Sequence, residues 1–121
     1  MEAQPLILTV ERNLRNLELL NKFLADKGFR TVSAASIEEL DQRLTETEPI
    51  ALALVDLAGF GKDLWDRCGQ LRHSGVPFLV ISPQPASSAQ RAGLAHGASG
   101  VLVKPVVVKD LVGMIRNLMR T

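Results

Sequence analysis

The chain has one cysteine, one tryptophan, no tyrosine and almost no net charge, and each shortage removes a class of function. With Cys68 alone among 121 residues, neither an internal disulfide nor a cysteine-rich zinc site can form. A reducing, cytoplasmic setting is expected. Four phenylalanines and one tryptophan make no platform for stacked bases. A net charge of +1, without any basic cluster, gives no electrostatic case for nucleic acid or a membrane surface. No apolar stretch approaches the roughly 20 residues of a spanning helix. The opening Met1-Glu2-Ala3-Gln4-Pro5 lacks the basic residues of a secretory leader. No linker, repeat or low-complexity segment interrupts the chain, so residues 1–121 are expected to form a single domain with no effector domain.

What is present is alternation. At 46% hydrophobic residues the chain can bury a core, and its short apolar runs alternate with longer amphipathic segments. Leu6 to Val10 predicts a strand, followed by a helix over about Asn13 to Lys27 with Leu14, Leu17, Leu20 and Leu24 on one face. Arg30 to Ala34 predicts a second strand. Ser36-Ile37-Glu38-Glu39 reads as a capping box opening a helix to about Thr47. Ala51 to Asp56 is an unbroken apolar run ending in an acid, the pattern of a strand buried on both faces. A helix over about Lys62 to His73, a fourth strand over Pro77 to Ser82, a Pro/Ser-rich loop over 83–88 and a short helix ending near His96-Gly97 follow. Val101 to Val103 is the fifth strand, and Val108, Leu111, Val112, Ile115, Leu118 and Met119 mark the last helix. Five such units predict an α/β fold: a flavodoxin-like, doubly wound, five-stranded parallel sheet of order 2-1-3-4-5. In that order strands 1 and 3 meet at the switch point, where open α/β sheets bind ligands.

Chemistry-bearing residues collect at the predicted strand tips: Glu11-Arg12 after strand 1, Asp56 on strand 3, Ser82 on strand 4, Lys104-Pro105 after strand 5. A carboxylate, a hydroxyl and an ammonium grouped in this way suit phosphoryl transfer. Asp56 would be the nucleophile, forming an acyl phosphate, with Ser82 and Lys104 holding the transferred oxygens. Lys104-Pro105 is a candidate cis peptide that would aim the lysine inward. Plainer roles exist for each: a turn cap for Asp56, ion pairing alone for Lys104, a strand-end hydroxyl for Ser82, a helix start for Glu11-Arg12. His73 and His96 have no partner pattern and read as surface residues. Trp65, Cys68, Met114 and Met119 read as packing.

Together these residues resemble the receiver domain of bacterial two-component response regulators, over essentially the whole chain. The resemblance implies a phospho-acceptor role for Asp56, a switch hydroxyl in Ser82, the family's Lys-Pro pair in Lys104-Pro105 and its small pair in Gly97-Ala98. It also implies a histidine kinase or phosphotransfer protein as donor. A downstream protein partner is expected at the face made by the last strand, the short helix before it and the last helix. A homodimer stays open, and no turnover enzyme is expected.

The departures bear on the metal. Receivers usually carry two adjacent acids after strand 1, which bind Mg²⁺ together with the acceptor aspartate and a backbone carbonyl, here that of Ala58. Glu11 serves as a first acid, one methylene longer, but Arg12 stands where the direct ligand belongs. Arginine cannot lose its proton and offers no lone pair. Glu11, Asp56, Arg12 and Lys104 sum to zero charge. At an effective dielectric near 20, a unit charge at ~4 Å is worth about 4 kcal/mol. Mg²⁺ held by Glu11, Asp56 and Ala58 is therefore expected to be weak, with Arg12 opposing it. Val101 stands near the family's switch aromatic, Pro83 follows Ser82 where a smaller residue is usual, and Gly59-Phe60-Gly61 replaces a Pro-Gly turn.

The expectation is a receiver that accepts a phosphoryl group on Asp56 and signals through protein contacts. The alternative is a phosphorylation-independent pseudo-receiver, in which Arg12 and Lys104 clamp Asp56. An enzyme on this fold is disfavoured: position 58 is Ala rather than the second acid of an aspartyl-phosphate hydrolase, no phosphate loop follows strand 1, and no P-loop or GxGxxG follows any strand.

Overall fold

Alternate strand residues send apolar side chains to opposite faces of one sheet, and two layers of helices cover them. A computed structural model describes residues 5–46, 48–82, 92 and 95–119. In chain order it contains β1 (Leu6–Val10), α1 (Leu14–Asp26), β2 (Arg30–Ala34), α2 (Ile37–Thr45), β3 (Leu52–Asp56), α3 (Asp63–His73), β4 (Phe78–Ser82), β5 (Gly100–Val103) and α4 (Val108–Met119). The five strands are all parallel, in the order β2-β1-β3-β4-β5. On one face Leu8, Val10, Ala53, Val55, Phe78 and Val80 meet α2 and α3 through Leu40, Leu64, Cys68 and Leu71. On the other, Ile7, Leu52, Leu54 and Leu79 meet α1 and α4 through Leu24, Leu111 and Ile115. β1, β3 and β4 are buried at every position, as unbroken apolar runs require.

The helix starts follow their caps. Asn13 Oδ1 accepts the Asn16 amide at 3.0 Å and opens α1. Ser36 Oγ accepts the Glu39 amide at 3.2 Å, while Glu39 Oε1 reaches back to the Ala35 amide at 2.7 Å, so the box closes one residue ahead of the cap. α2 ends at Thr45, because Glu46 is already extended; the Thr47 end predicted from sequence lies outside the described residues. Leu17 and Leu24 of α1 are buried, but Leu14 is 65% exposed. The buried stripe runs through the pair seven residues apart, and the first turn lies off it. The loop over 83–88, including Pro83, and most of the short helix expected before β5 lie outside the described residues. The His96 amide donates to the Ala92 carbonyl at 2.9 Å, one helical turn at the end of that segment.

Two polar features hold helices to the sheet. Thr9 Oγ1 donates to Asn21 Oδ1 (2.8 Å), Asn21 Nδ2 to Ser33 Oγ (2.6 Å), and Thr9 and Ser33 hydroxyls lie 2.9 Å apart. With Ser33 donating to Thr9, the three bonds close a ring joining β1, α1 and β2. Arg43 of α2 donates Nε–H to the Ser33 carbonyl of β2 at 2.9 Å.

Candidate functional site

The strand tips converge at the carboxyl edge of the sheet. Parallel pairing sets Asp56 beside Ile81 and Ser82 beside Val103. The ladders run one residue further, with the Leu57 amide on Ile81 O at 3.0 Å and the Lys104 amide on Ser82 O at 2.9 Å. β1 leaves at the same edge, where the Glu11 amide donates to Ala34 O at 3.1 Å. The Lys104–Pro105 peptide is cis, as expected.

Asp56 is 4% exposed, and both its oxygens are engaged. Lys104 Nζ lies 2.7 Å from Oδ2, and the Ala58 amide donates to Oδ1 at 2.9 Å. The turn cap and the ion pair therefore coexist on one carboxylate. Glu11, 5% exposed, lies beside it, with Oε2 accepting the Asn13 amide at 3.2 Å. Burial pushes the Glu11 carboxyl above its ordinary value; the Asn13 amide opposes this, and the neighbouring Asp56 adds to it. Two buried acids thus share one lysine. Ser82 is buried at the tip of β4, the strand beside β3. A cleft of about 770 Å³ opens over the group between α1 and residues 104–108, with Glu11, Asp56 and Lys104 as its polar end and Leu19, Leu20 and Phe23 among its apolar walls.

Arg12 departs from the pseudo-receiver arrangement. Its guanidinium carbon stands 5.8 Å from the Phe60 ring centroid, within cation–π range. Its aliphatic stem crosses Gly59, where an added Cβ would lie 3.0 Å from Arg12 Cδ. Gly59 has φ +81°, so glycine is required there for conformation as well as for room. Among the described residues no carboxylate pairs with Arg12. The clamp of Arg12 and Lys104 on Asp56 is half present: Lys104 makes it, and Arg12 rests on the rim.

The usual three-acid magnesium set is not fitted by these side chains. Among the described residues no group of three or more His, Cys, Asp or Glu is placed to hold a metal ion. Glu11 and Asp56 are the two acids at the tips, and Lys104 already sits on one of them.

No family model matches the chain. It is 29% identical to the transcriptional regulatory protein AruR of Pseudomonas aeruginosa, over 99% of this chain and 51% of that protein. It is 32% identical to the transcriptional regulatory protein PrrA of Mycobacterium leprae, over 98% of this chain and 51% of that protein. The chain spans about half the length of these curated relatives. A crystal structure from Chloroflexus aurantiacus, assigned to the response regulators, superposes with a TM-score of 0.84 at 26% identity, covering 97% of this chain and 98% of that one. This chain is a response-regulator receiver domain.

Receivers generally bind Mg²⁺ and are generally not turnover enzymes. In this receiver Glu11, Asp56, Ser82 and Lys104 lie at the carboxyl edge of the sheet, the Ala58 amide, which the sequence did not single out, joins them through Asp56 Oδ1, and Arg12 stands off. Gly97, of the small pair before β5, has φ +94° and takes the stem of Arg72 against its open face. Val101 is half-buried in the core beneath α3. Three features were not read from sequence. The Thr9–Asn21–Ser33 ring carries no periodic signal. The contact of Arg12 with Phe60 joins loops distant along the chain. His96 stacks on Trp65, with ring centroids 4.7 Å apart and planes 15° from parallel. Cys68 is inert packing, its thiol pushed by burial up to about 12. Among the described residues no helix is long and apolar enough to cross a membrane.

Proposed function

We propose that residues 1–121 act as a cytoplasmic receiver unit whose Asp56 accepts a phosphoryl group from a phosphohistidine on a histidine kinase or phosphotransfer protein. The observation that carries this reading is the 2.7 Å contact between Lys104 Nζ and the buried Asp56 Oδ2. An Asp56 oxygen bonds phosphorus as the P–N bond to the donor imidazole breaks, and the imidazole nitrogen leaves with the electron pair and takes a proton. The Lys104 ammonium follows the charge onto the phosphoryl oxygens, and Ser82, at the next strand tip, offers a hydroxyl donor. Mg²⁺ binding is weak, since only Glu11 and Asp56 supply carboxylates and the Ala58 carbonyl is the remaining candidate ligand. Output passes to a protein partner at the surface of β5 and α4. The names of the curated relatives point that output toward transcription. Arg12 lying on Phe60 rather than on Asp56 favours this reading over a clamped pseudo-receiver.

Intact-mass analysis after treatment with acetyl phosphate, or with a purified phosphohistidine donor, tests the assignment. A single phosphoryl adduct on Asp56, absent from Asp56→Asn, is expected. No adduct with either donor at any Mg²⁺ or Mn²⁺ concentration would return the chain to the pseudo-receiver class.

A further inference from the structure

Among the described residues the acceptor site is short of countercharge. Glu11 and Asp56 are both buried, and Lys104 offsets only one of them. A phosphoryl group arriving on Asp56 brings close to two further negative charges. The third acid that would help hold a divalent cation is missing, and an arginine stands at its position. That arginine is tethered beside the reacting carboxylate. It follows Glu11, whose carboxyl feels the Asp56 charge directly. Its stem crosses to the opposite loop and lies over Gly59, three residues beyond Asp56. Arg12 therefore bridges the two loops that flank the acceptor, residues 11–13 and 57–61. It is exposed, and among the described residues its charged end rests on the Phe60 face. A guanidinium on a ring face is held loosely. Against phosphoryl oxygens it makes two parallel charge-assisted hydrogen bonds.

We propose that Arg12 is a phosphoryl-binding residue of this site, leaving the Phe60 face to take the oxygens of the incoming group, so that transfer to Asp56 proceeds without a divalent cation. This rests on Asp56 being the acceptor. With acetyl phosphate as donor, the Asp56 O–P bond forms as the bond from phosphorus to the acetate oxygen breaks. Acetate leaves with the electron pair, and no proton need move. Arg12 and Lys104 then flank the transferred group from the β1 and β5 sides. Phe60 and the bare Cα of Gly59 form the resting cradle that keeps the arm at the rim.

The test is the rate of Asp56 phosphorylation by acetyl phosphate, followed by intact mass, in EDTA and in Mg²⁺. The expected result is an adduct in EDTA whose rate Mg²⁺ changes little. Arg12→Ala should lower the EDTA rate by at least about tenfold, and Arg12→Lys should recover part of it. Arg12→Asp should reverse the behaviour: no adduct in EDTA, and Mg²⁺ restoring it. Arg12 is exposed, so these variants should keep the wild-type circular dichroism. An adduct that forms only with Mg²⁺, at a rate indifferent to Arg12→Ala, overturns the role of Arg12 and leaves Asp56 as acceptor. No adduct with acetyl phosphate or a phosphohistidine donor in any condition overturns both.

Discussion

Glu11 and Asp56 are buried side by side, and this shapes what single substitutions do. The fold holds the Glu11 proton more tightly than the unfolded chain does. Between the ordinary value of 4.5 and the raised one the folded state is the more protonated, so stability falls as pH rises through that window. Glu11→Gln keeps an acceptor for the Asn13 amide and removes the buried charge. It should be more stable than the parent at pH 7 by ~1 kcal/mol, with the gap closing in acid below the window. Urea denaturation at the two pH values reads this, and equal midpoints at neutral pH would show that Glu11 is well solvated. Lys104→Met leaves two buried acids without a countercharge among the described residues, each keeping its backbone amide. The lysine side chain is 33% exposed and that of the aspartate 5%, so the loss is smaller than for a fully buried pair, roughly 1–3 kcal/mol. Cys68, with its thiol raised to about 12, should resist iodoacetamide in the native protein and react fully in denaturant. Asp56, Ser82 and Lys104 were legible because each ends an apolar run. The resting place of Arg12 was not, because it depends on Phe60 and on the missing Cβ of Gly59 in another loop.

At the level of elements, the ring of Thr9, Asn21 and Ser33 fixes how α1 sits on β1 and β2, and hence where Glu11 enters the site. Thr9 is fully buried. Asn21→Leu takes the acceptor from Thr9 and the donor from Ser33, leaving the two hydroxyls bonded only to each other and to the Val32 carbonyl, and should cost ~1–3 kcal/mol. Thr9→Val with Asn21→Leu and Ser33→Ala removes every member, and should recover much of that loss. Thermal melts of the single and triple variants compare them; a triple variant worse than Asn21→Leu alone would count against the closed ring. Every strand and helix among the described residues was readable from periodicity, because buried strands and amphipathic helices announce themselves by what is apolar. The ring escaped notice for the converse reason: its members are polar residues inside apolar runs, which hydrophobic patterning passes over. Trp65 and His96 escaped because one lies on α3 and the other just before β5, with no spacing to link them. His96→Ala should change the emission of Trp65, the only tryptophan, while leaving the far-ultraviolet spectrum intact.

Across the whole molecule, both hydrophobic layers draw on the same strands. Leu52 and Leu54 feed one face while Ala53 and Val55 feed the other. Neither layer can dissolve without exposing the back of its partner. Unfolding in urea should therefore be a single transition, with coincident midpoints from Trp65 fluorescence on the α3 side and from circular dichroism of the whole fold. Separated midpoints would mean that the layers open independently. The strand order was predictable because right-handed crossovers leave few ways to wind five β-α units. β2 forms one border of the sheet, and such borders invite another chain to add a strand. Arg43, reaching down from α2, commits the Ser33 carbonyl to its own molecule. A foreign segment sliding along that flank meets a stoppered acceptor, which discourages the sheet from growing copy by copy into a fibre.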